Sequence, residues 1–227
     1  ICRADTFILQ MAGWKFYQDE FISFENVSFA YRDVPILRDV CFSLHENESV
    51  GFIGGNGEGK TTLLKLLLGE LVPDEGSIFR KNNLKIGYLP QNGGLESGGS
   101  VYSVMSEVFE EDRRLIDRLE RVQAAFSAAG EKERVALSSE IESLQKRIDA
   151  RDSYHVDVRI RTVLNGMGFE TMYDQIVSTM SGGEKTRLKL CRLLLEEPEL
   201  LILDEPTNHL DIKTLFWLED YLTSYRG

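Results

Sequence analysis

The stretch from Gly54 to Thr61 constrains this chain more than any other, because it reads Gly-Gly-Asn-Gly-Glu-Gly-Lys-Thr. It fits the phosphate-loop pattern, in which a glycine, four further residues and Gly-Lys-Thr precede a helix. Glycines let the backbone curl close to an anion, and the N-terminus of the following helix adds the positive end of its dipole. The sequence therefore predicts a loop in which Lys60 faces the β- and γ-phosphates of a nucleotide and Thr61 ligates Mg²⁺.

The segments beside this loop have the pattern of an α/β fold. Residues 49–53 predict a buried strand that leads into the loop, and residues 62–68 predict a helix that ends at Gly69. A glycine-rich turn that binds no ligand is the plainer alternative. The predicted nucleotide contacts are Gly54, Gly55, Asn56, Gly57, Glu58, Gly59, Lys60, Thr61 and Thr62.

Composition limits the classes of protein that this chain can belong to. Hydrophobic residues make up 42% and charged residues 28%, which is typical of a globular protein, and no apolar run approaches the length of a membrane span. The net charge of −11 argues against a broad nucleic-acid clamp but leaves room for a local basic surface. The three cysteines are scattered and fit neither a disulfide framework nor a metal site, so we expect a reducing, cytoplasmic environment.

Besides the strand at residues 49–53, the first part of the chain predicts four strands, at residues 21–30, 36–44, 77–79 and 85–89. Tyr31 follows the first of them. A glycine- and serine-rich linker is predicted after the fourth strand, where the composition changes.

The segment from residue 101 to about residue 161 predicts helices. Apolar residues recur at helical spacing in two stripes, and Ala128-Ala129-Gly130 lies between the stripes as a plausible reversal, so an antiparallel helical hairpin is expected. An arm that touches a partner and an ordinary helical subdomain are both open at this point. The stripes consist of Leu115, Leu119, Val122 and Phe126, and of Leu137, Ile141, Leu144 and Ile148.

Two carboxylates follow a short apolar run at residues 200–203, which predicts a strand buried in a sheet. At the end of such a strand, Asp204 is placed to hold Mg²⁺ and Glu205 to polarise an attacking water. A pair of solvent-facing acids is the alternative. Earlier in the chain, Ser181 is the predicted N-cap of a helix. The glycines after it leave the N-terminus of that helix open to an anion.

Together, and in this order, these motifs resemble those of ATP-binding cassette (ABC) ATPases. The resemblance implies that Gln91 is the glutamine-loop residue, which acts in catalysis and ligates Mg²⁺, and that Tyr31 stacks on adenine. It also implies that Lys60, Asp204 and Glu205 are the Walker lysine, the Walker B aspartate and the catalytic glutamate. Asp211 matches the D-loop aspartate. The signature residues, implied to contact a nucleotide held by a second cassette, are Ser181, Gly182, Gly183 and Glu184.

Within that family, residues 206–211 and the long gap between Gln91 and Ser181 resemble the ABC-F group, whose members act on ribosomes. The chain looks like the first of two cassettes. It departs from the pattern at Met180 and at Glu184, where glutamine is commonest. The switch histidine would follow Gly227, and the first residue is not Met, so we expect a fragment.

The resemblance implies an α/β fold, a P-loop NTPase with an ABC-type core, an N-terminal antiparallel β part and an inserted α-helical subdomain that carries a helical-hairpin arm. The expected boundaries are an extension at 1–20 and a cassette at 21–227 with the insertion at 92–180. The implied function is Mg-dependent binding and hydrolysis of ATP, with a second cassette and the ribosome, its rRNA or tRNA, as partners. The alternatives are a nucleotide-binding subunit of a transporter and a non-hydrolysing regulatory cassette, which Glu205 disfavours.

Overall fold

The computed structural model describes residues 20–55, 57–91 and 93–225, and these divide into two compact units after Ile86. The extension expected at residues 1–20 lies outside the described residues, except for Glu20, which begins the first strand.

An antiparallel sheet of three strands forms the main part of the first unit. Strand β1 (Glu20–Tyr31) lies between β2 (Val34–His45) and β3 (Glu75–Arg80), and it pairs with both in antiparallel register. Phe24 lies opposite Phe42 across the β1–β2 pair, and their rings stack with centroids 4.5 Å apart. The strands predicted at residues 21–30, 36–44 and 77–79 are confirmed.

Helix α1 (Lys60–Leu68) follows the glycine-rich loop, as predicted, and ends at Gly69 with a left-handed φ of 80°. Its C-terminal carbonyl groups are satisfied from the sheet. The Arg80 side chain donates from Nε to the carbonyl of Leu67 at 2.7 Å and from a terminal nitrogen to that of Leu66. Arg80 thus ties the helix that follows the loop to strand β3.

The strand predicted at residues 49–53 is wrong. This segment is irregular and pairs with neither sheet of the described residues. Its apolar side chains behave differently from a buried strand, because Ile53 is 80% exposed whereas Phe52 packs edge-on against Phe42 at 5.6 Å. Of these two side chains, only Phe52 packs against the sheet.

Two short strands meet in the second unit. Strand β4 (Ile86–Leu89) begins at the boundary between the units and is hydrogen-bonded to β5 (Leu200–Leu203). The backbone N–H of Asp204 donates to the carbonyl of Leu89 at 3.0 Å. Because this bond joins the C-terminal ends of both strands, they run in the same direction and release the chain at one edge.

Helices make up most of the second unit, and α6 runs through its hydrophobic core. Leu188, Cys191 and Leu194 of that helix are completely buried, among side chains from α2, α5 and α7. The helices are α2 (Val101–Ser106), α3 (Glu110–Ala128), α4 (Glu131–Ala150), α5 (Val156–Gly166), α6 (Gly182–Glu196) and α7 (Ile212–Thr223). Short 3-10 turns lie at Glu107–Phe109, Ser153–His155, Val177–Thr179 and Pro206–His209.

Helices α3 and α4 form the predicted antiparallel hairpin, which we call the arm. The chain reverses at Ala129 and Gly130, the residues that cap the two helices. Apolar side chains from both stripes form a hydrophobic cluster of their own, separate from the core around α6. Its buried members are Leu115, Leu119, Val122, Leu144 and Ile148.

An ion pair between a buried carboxylate and a partly exposed arginine fixes the base of the arm. The Asp112 carboxylate, 3% exposed, accepts two hydrogen bonds from Arg151 at 3.0 Å and one from the Ser153 hydroxyl at 2.6 Å. Burial alone would raise the pKa of Asp112, but these hydrogen bonds from Arg151 and Ser153 hold it below its usual value. The carboxylate therefore stays ionised and joins the start of α3 to the end of α4.

We expect Gly166→Ala to destabilise the second unit by about 1–3 kcal/mol, because a methyl group there would overlap the indole of Trp217. That indole is itself stacked on Tyr221 with centroids 5.1 Å apart. Alanine is the better helix former, which opposes this loss by about 1 kcal/mol. Gly130→Ala is the matched control, since a methyl group there meets no atom within 4 Å. Equal midpoints of thermal unfolding for the two variants would contradict this packing argument.

Candidate functional site

The glycine-rich loop adopts the backbone conformations that its sequence requires. Gly57 and Gly59 have left-handed φ values of 84° and 92°. A Cβ at Gly59 would lie 2.8 Å from the Ile36 side chain of β2, so a larger residue is excluded by both conformation and space. The loop therefore passes close to β2 before α1 begins. Asn56, which comes between Gly55 and Gly57, lies outside the described residues.

The Lys60 ammonium lies across the loop. Its Nζ donates to the carbonyl oxygens of Gly54 at 2.7 Å and Gly55 at 3.0 Å. The backbone N–H of Gly55 in turn donates to the Glu58 carboxylate at 2.6 Å. One fixed positive charge thus lies at the start of α1, where the helix dipole also favours an anion.

The neighbouring predicted contacts differ in exposure. Thr61 is exposed in the first turn of α1, whereas Thr62 is buried. Tyr31 ends β1 with 45% of its surface exposed, and its ring meets that of Phe29 edge-on at 5.0 Å. An aromatic face thus remains accessible at the end of this strand.

The second unit brings two of the predicted catalytic residues into contact. The Gln91 side chain donates from Nε2 to Oε2 of Glu205 at 2.7 Å. Gln91 follows β4 and Glu205 follows β5, so the contact arises where the two parallel strands end. Asp204, which precedes Glu205, is 8% exposed. Glu205 has a left-handed φ of 51°, an uncommon conformation for a residue other than glycine.

Ser181 caps α6 as predicted, and Glu184 completes a reciprocal capping box. The backbone N–H and the hydroxyl of Ser181 donate to the Glu184 carboxylate at 2.8 Å and 2.7 Å, and the Glu184 N–H donates back to the hydroxyl. The Ser181 side-chain and backbone hydrogen bonds lower the pKa of Glu184. The glycines between them, Gly182 and Gly183, form the first turn.

Asp211 caps α7 in a similar way. Its carboxylate accepts the N–H of Thr214 at 2.8 Å, and hydrogen bonds from the Thr214 backbone and side chain lower the pKa of Asp211. An ionised carboxylate therefore lies at the start of each helix, with Glu184 of α6 bound to Ser181 and Asp211 before α7 bound to Thr214.

Sequence reasoning missed how residues 93–96 pack. They were predicted as a linker, but the Leu95 N–H donates to the Lys185 carbonyl at 3.1 Å, and Lys185 Nζ lies 3.0 Å from both carboxylate oxygens of Glu96. A Cβ at Gly94 would lie 2.7 Å from the Cβ of Lys185. The paired glycines after Gln91 were the available signal, because glycine permits such close approach.

Comparison with known proteins identifies the family. The family model described as ABC transporter matches residues 37–208. The tylosin resistance ATP-binding protein TlrC of Streptomyces fradiae is 38% identical, over 91% of this chain and 40% of its own length. The ABC transporter F family member 5 of Arabidopsis thaliana is 36% identical, over 88% of this chain and 30% of its own. The energy-dependent translational throttle protein EttA of Haemophilus influenzae is 36% identical, over 85% of this chain and 34% of its own length.

The chain thus spans 30% to 40% of the length of these relatives. A solved structure titled as the ATP binding subunit of an ABC transporter superposes with a TM-score of 0.62 at 20% identity, covering 91% of this chain and 75% of that one. This likeness confirms the predicted fold class. Within the residues that the structure describes, no helix is both long enough and apolar enough to cross a membrane.

We expect Lys60→Ala to weaken ATP binding about 10- to 100-fold, since hydrogen bonds to a charged group contribute about 1.5–3 kcal/mol. Isothermal titration of wild type and variant measures this difference. Lys65→Ala removes a lysine one turn further along α1 and is the control that should retain wild-type affinity. Equal affinities for wild type and Lys60→Ala would contradict the role given to Lys60.

Proposed function

Since this chain belongs to the ABC transporter family of ATP-binding cassettes, we propose that it binds Mg-ATP on the loop at residues 54–61 and hydrolyses it as one half of a two-cassette switch acting on the ribosome. The observation that carries the proposal is the contact between Gln91 and Glu205 at the end of two parallel strands. Ligands of open α/β sheets bind beyond the carboxyl ends of the strands, and this is where the contact lies.

The first unit supplies the groups that bind the nucleotide. Lys60, which lies across the glycine-rich loop, balances the charge of the β- and γ-phosphates, and backbone N–H groups of that loop bind them. The exposed face of Tyr31 stacks on the adenine. Stacking accepts any base, so we expect weak base selectivity.

The residues proposed for the metal fit Mg²⁺. Thr61, Asp204 and Gln91 offer hydroxyl, carboxylate and amide oxygens, and Mg²⁺ binds through few protein oxygens together with phosphates and water. No group of three or more His, Cys, Asp or Glu side chains suited to a metal occurs among the described residues. The bound ion would neutralise charge on the phosphates.

Glu205 is the proposed general base. Its carboxylate takes a proton from the attacking water, and Gln91 orients this carboxylate through the 2.7 Å hydrogen bond. The N-terminus of α6, with Ser181, Gly182, Gly183 and Glu184, closes on a nucleotide held by a second cassette, and Asp211 lies beside that contact. ATP then holds the two cassettes together, and hydrolysis releases them, which makes a two-state switch.

A ribosomal target is supported by the name of one relative, the energy-dependent translational throttle protein. The arm is the proposed contact with the ribosome, through its rRNA or bound tRNA. The nucleotide-binding subunit of a transporter is the second candidate, because the solved structures that share the fold include such subunits.

Glu205→Gln in the full-length protein should keep ATP binding but lower hydrolysis at this site about 100-fold or more, since general base catalysis contributes about 10²–10⁴-fold. The amide has nearly the shape of the carboxylate but accepts a proton far less readily. Glu199→Gln makes the same change at the start of β5 and should not alter hydrolysis. The isolated chain should bind Mg-ATP and turn it over slowly, because the closed sandwich holds the water in place.

The result that removes Glu205 from this role is undiminished hydrolysis at its site, measured in Glu205→Gln with the other site disabled. Rapid turnover by the isolated chain would contradict the need for a second cassette.

Co-sedimentation separates the two candidate targets. With ATP, the full-length Glu205→Gln protein should pellet with ribosomes, and with ADP it should stay in the supernatant. Replacing residues 126–135 at the tip of the arm with a short Gly-Ser loop should abolish pelleting and leave ATP affinity unchanged, because the arm has a hydrophobic cluster of its own. Association with membranes instead of ribosomes would favour the transporter subunit, and loss of ATP binding would place the tip in the nucleotide core.

A further inference from the structure

Arg187 lies on α6 close to its N-terminus, three residues beyond Glu184 on the same side of the helix. The side chain is half-buried, and its guanidinium carbon lies 5.3 Å from the ring centroid of Phe169. Phe169 is completely buried. A planar cation stacked on a buried ring is held in place more firmly than an exposed arginine, because the ring attracts the charge and packing fixes its plane.

Helices α5, α6 and α7 meet around this guanidinium. Gly168, just after α5, has a left-handed φ of 80°. A Cβ built on it would lie 3.5 Å from a terminal nitrogen of Arg187 and 3.9 Å from the Thr214 hydroxyl of α7. Thr214 is 2% exposed and donates its N–H to Asp211. The turn at Gly168 thus lies between the Arg187 head and the first turn of α7.

The charge of Arg187 acts on the capping carboxylates of both helices. Hydrogen bonds from Ser181 contribute most to the lowered pKa of Glu184, and Arg187 lowers it further. Hydrogen bonds from Thr214 contribute most to the lowered pKa of Asp211, and the charge of Arg187 lowers this pKa further. One cation therefore stabilises the ionised caps of two helices that are far apart in sequence.

We propose that Arg187 is a positioning residue that joins the signature turn at Ser181–Glu184 to the Asp211 turn, so that both meet the nucleotide of a second cassette as one rigid surface. This inference rests on the proposed function, in which those two turns face that nucleotide. Arg187 acts through Glu184 and Asp211 and is not a catalytic residue. A glutamine keeps part of the packing volume but lacks the charge, whereas a lysine keeps the charge but lacks the planar head.

The role predicts an effect at the second cassette's nucleotide and none at this chain's own loop. In the full-length protein with Glu205→Gln, hydrolysis in a single turnover reports the second site. Arg187→Gln should lower the rate constant of that turnover, its kcat, about 10-fold or more, because small misplacements of positioning groups have large effects. ATP affinity at this chain's loop, measured with the second site disabled, should stay within about 2-fold of wild type. Arg187→Lys should give a kcat between those of Arg187→Gln and wild type.

Arg192→Gln is the matched control, since Arg192 lies on the same helix, is also partly buried and pairs with Glu107 and Glu196 instead. It should leave hydrolysis at the second site unchanged. A wild-type kcat in Arg187→Gln would overturn the inference, as would an equal loss of kcat in Arg192→Gln. If Arg187→Gln fails to fold, a wild-type kcat in Arg187→Lys would overturn it. Failure of the wild-type protein to bind ATP would instead overturn the proposed function.

Discussion

The pairing of β4 with β5 is the constraint on which the rest of the second unit depends. The hydrogen bond from Asp204 to the carbonyl of Leu89 aligns the ends of both strands, and the chain then leaves each strand with a polar side chain at the same edge. Gln91 and Glu205 meet there because of this register, and a shift of one strand by one residue would turn its side chains to the opposite face and separate the pair. Helices α6 and α7, whose N-caps are Ser181 and Asp211, belong to the same unit.

Glycine plays two separate physical roles in this chain. In the loop before α1, Gly59 is required because a left-handed backbone passes within contact distance of Ile36. After Gln91, Gly94 is required because the chain lies directly against Lys185 on α6. The first role prepares an anion site, and the second ties the segment that carries Gln91 to the helix that begins at Ser181.

Local pattern was sufficient to predict the elements whose stability is local or periodic. The apolar stripes predicted the arm, and Ser181 predicted the start of α6, because helical spacing and capping are properties of a few adjacent residues. The strand predicted at residues 49–53 failed, since a strand depends on a partner elsewhere in the chain. The position of Arg187 was likewise hidden, because Phe169 and Thr214, which define its surroundings, come from other segments of the chain.

The central claim is that Lys60, Asp204 and Glu205 serve one nucleotide, which a second cassette closes through its own signature helix. Structure determination of the full-length Glu205→Gln protein with Mg-ATP tests it most directly. The account predicts the β- and γ-phosphates within hydrogen-bond distance of Lys60, the ion beside Asp204, and Ser181 on the second cassette's nucleotide. Phosphates bound away from Lys60, or a fully closed ATP site formed by this chain alone, would contradict it.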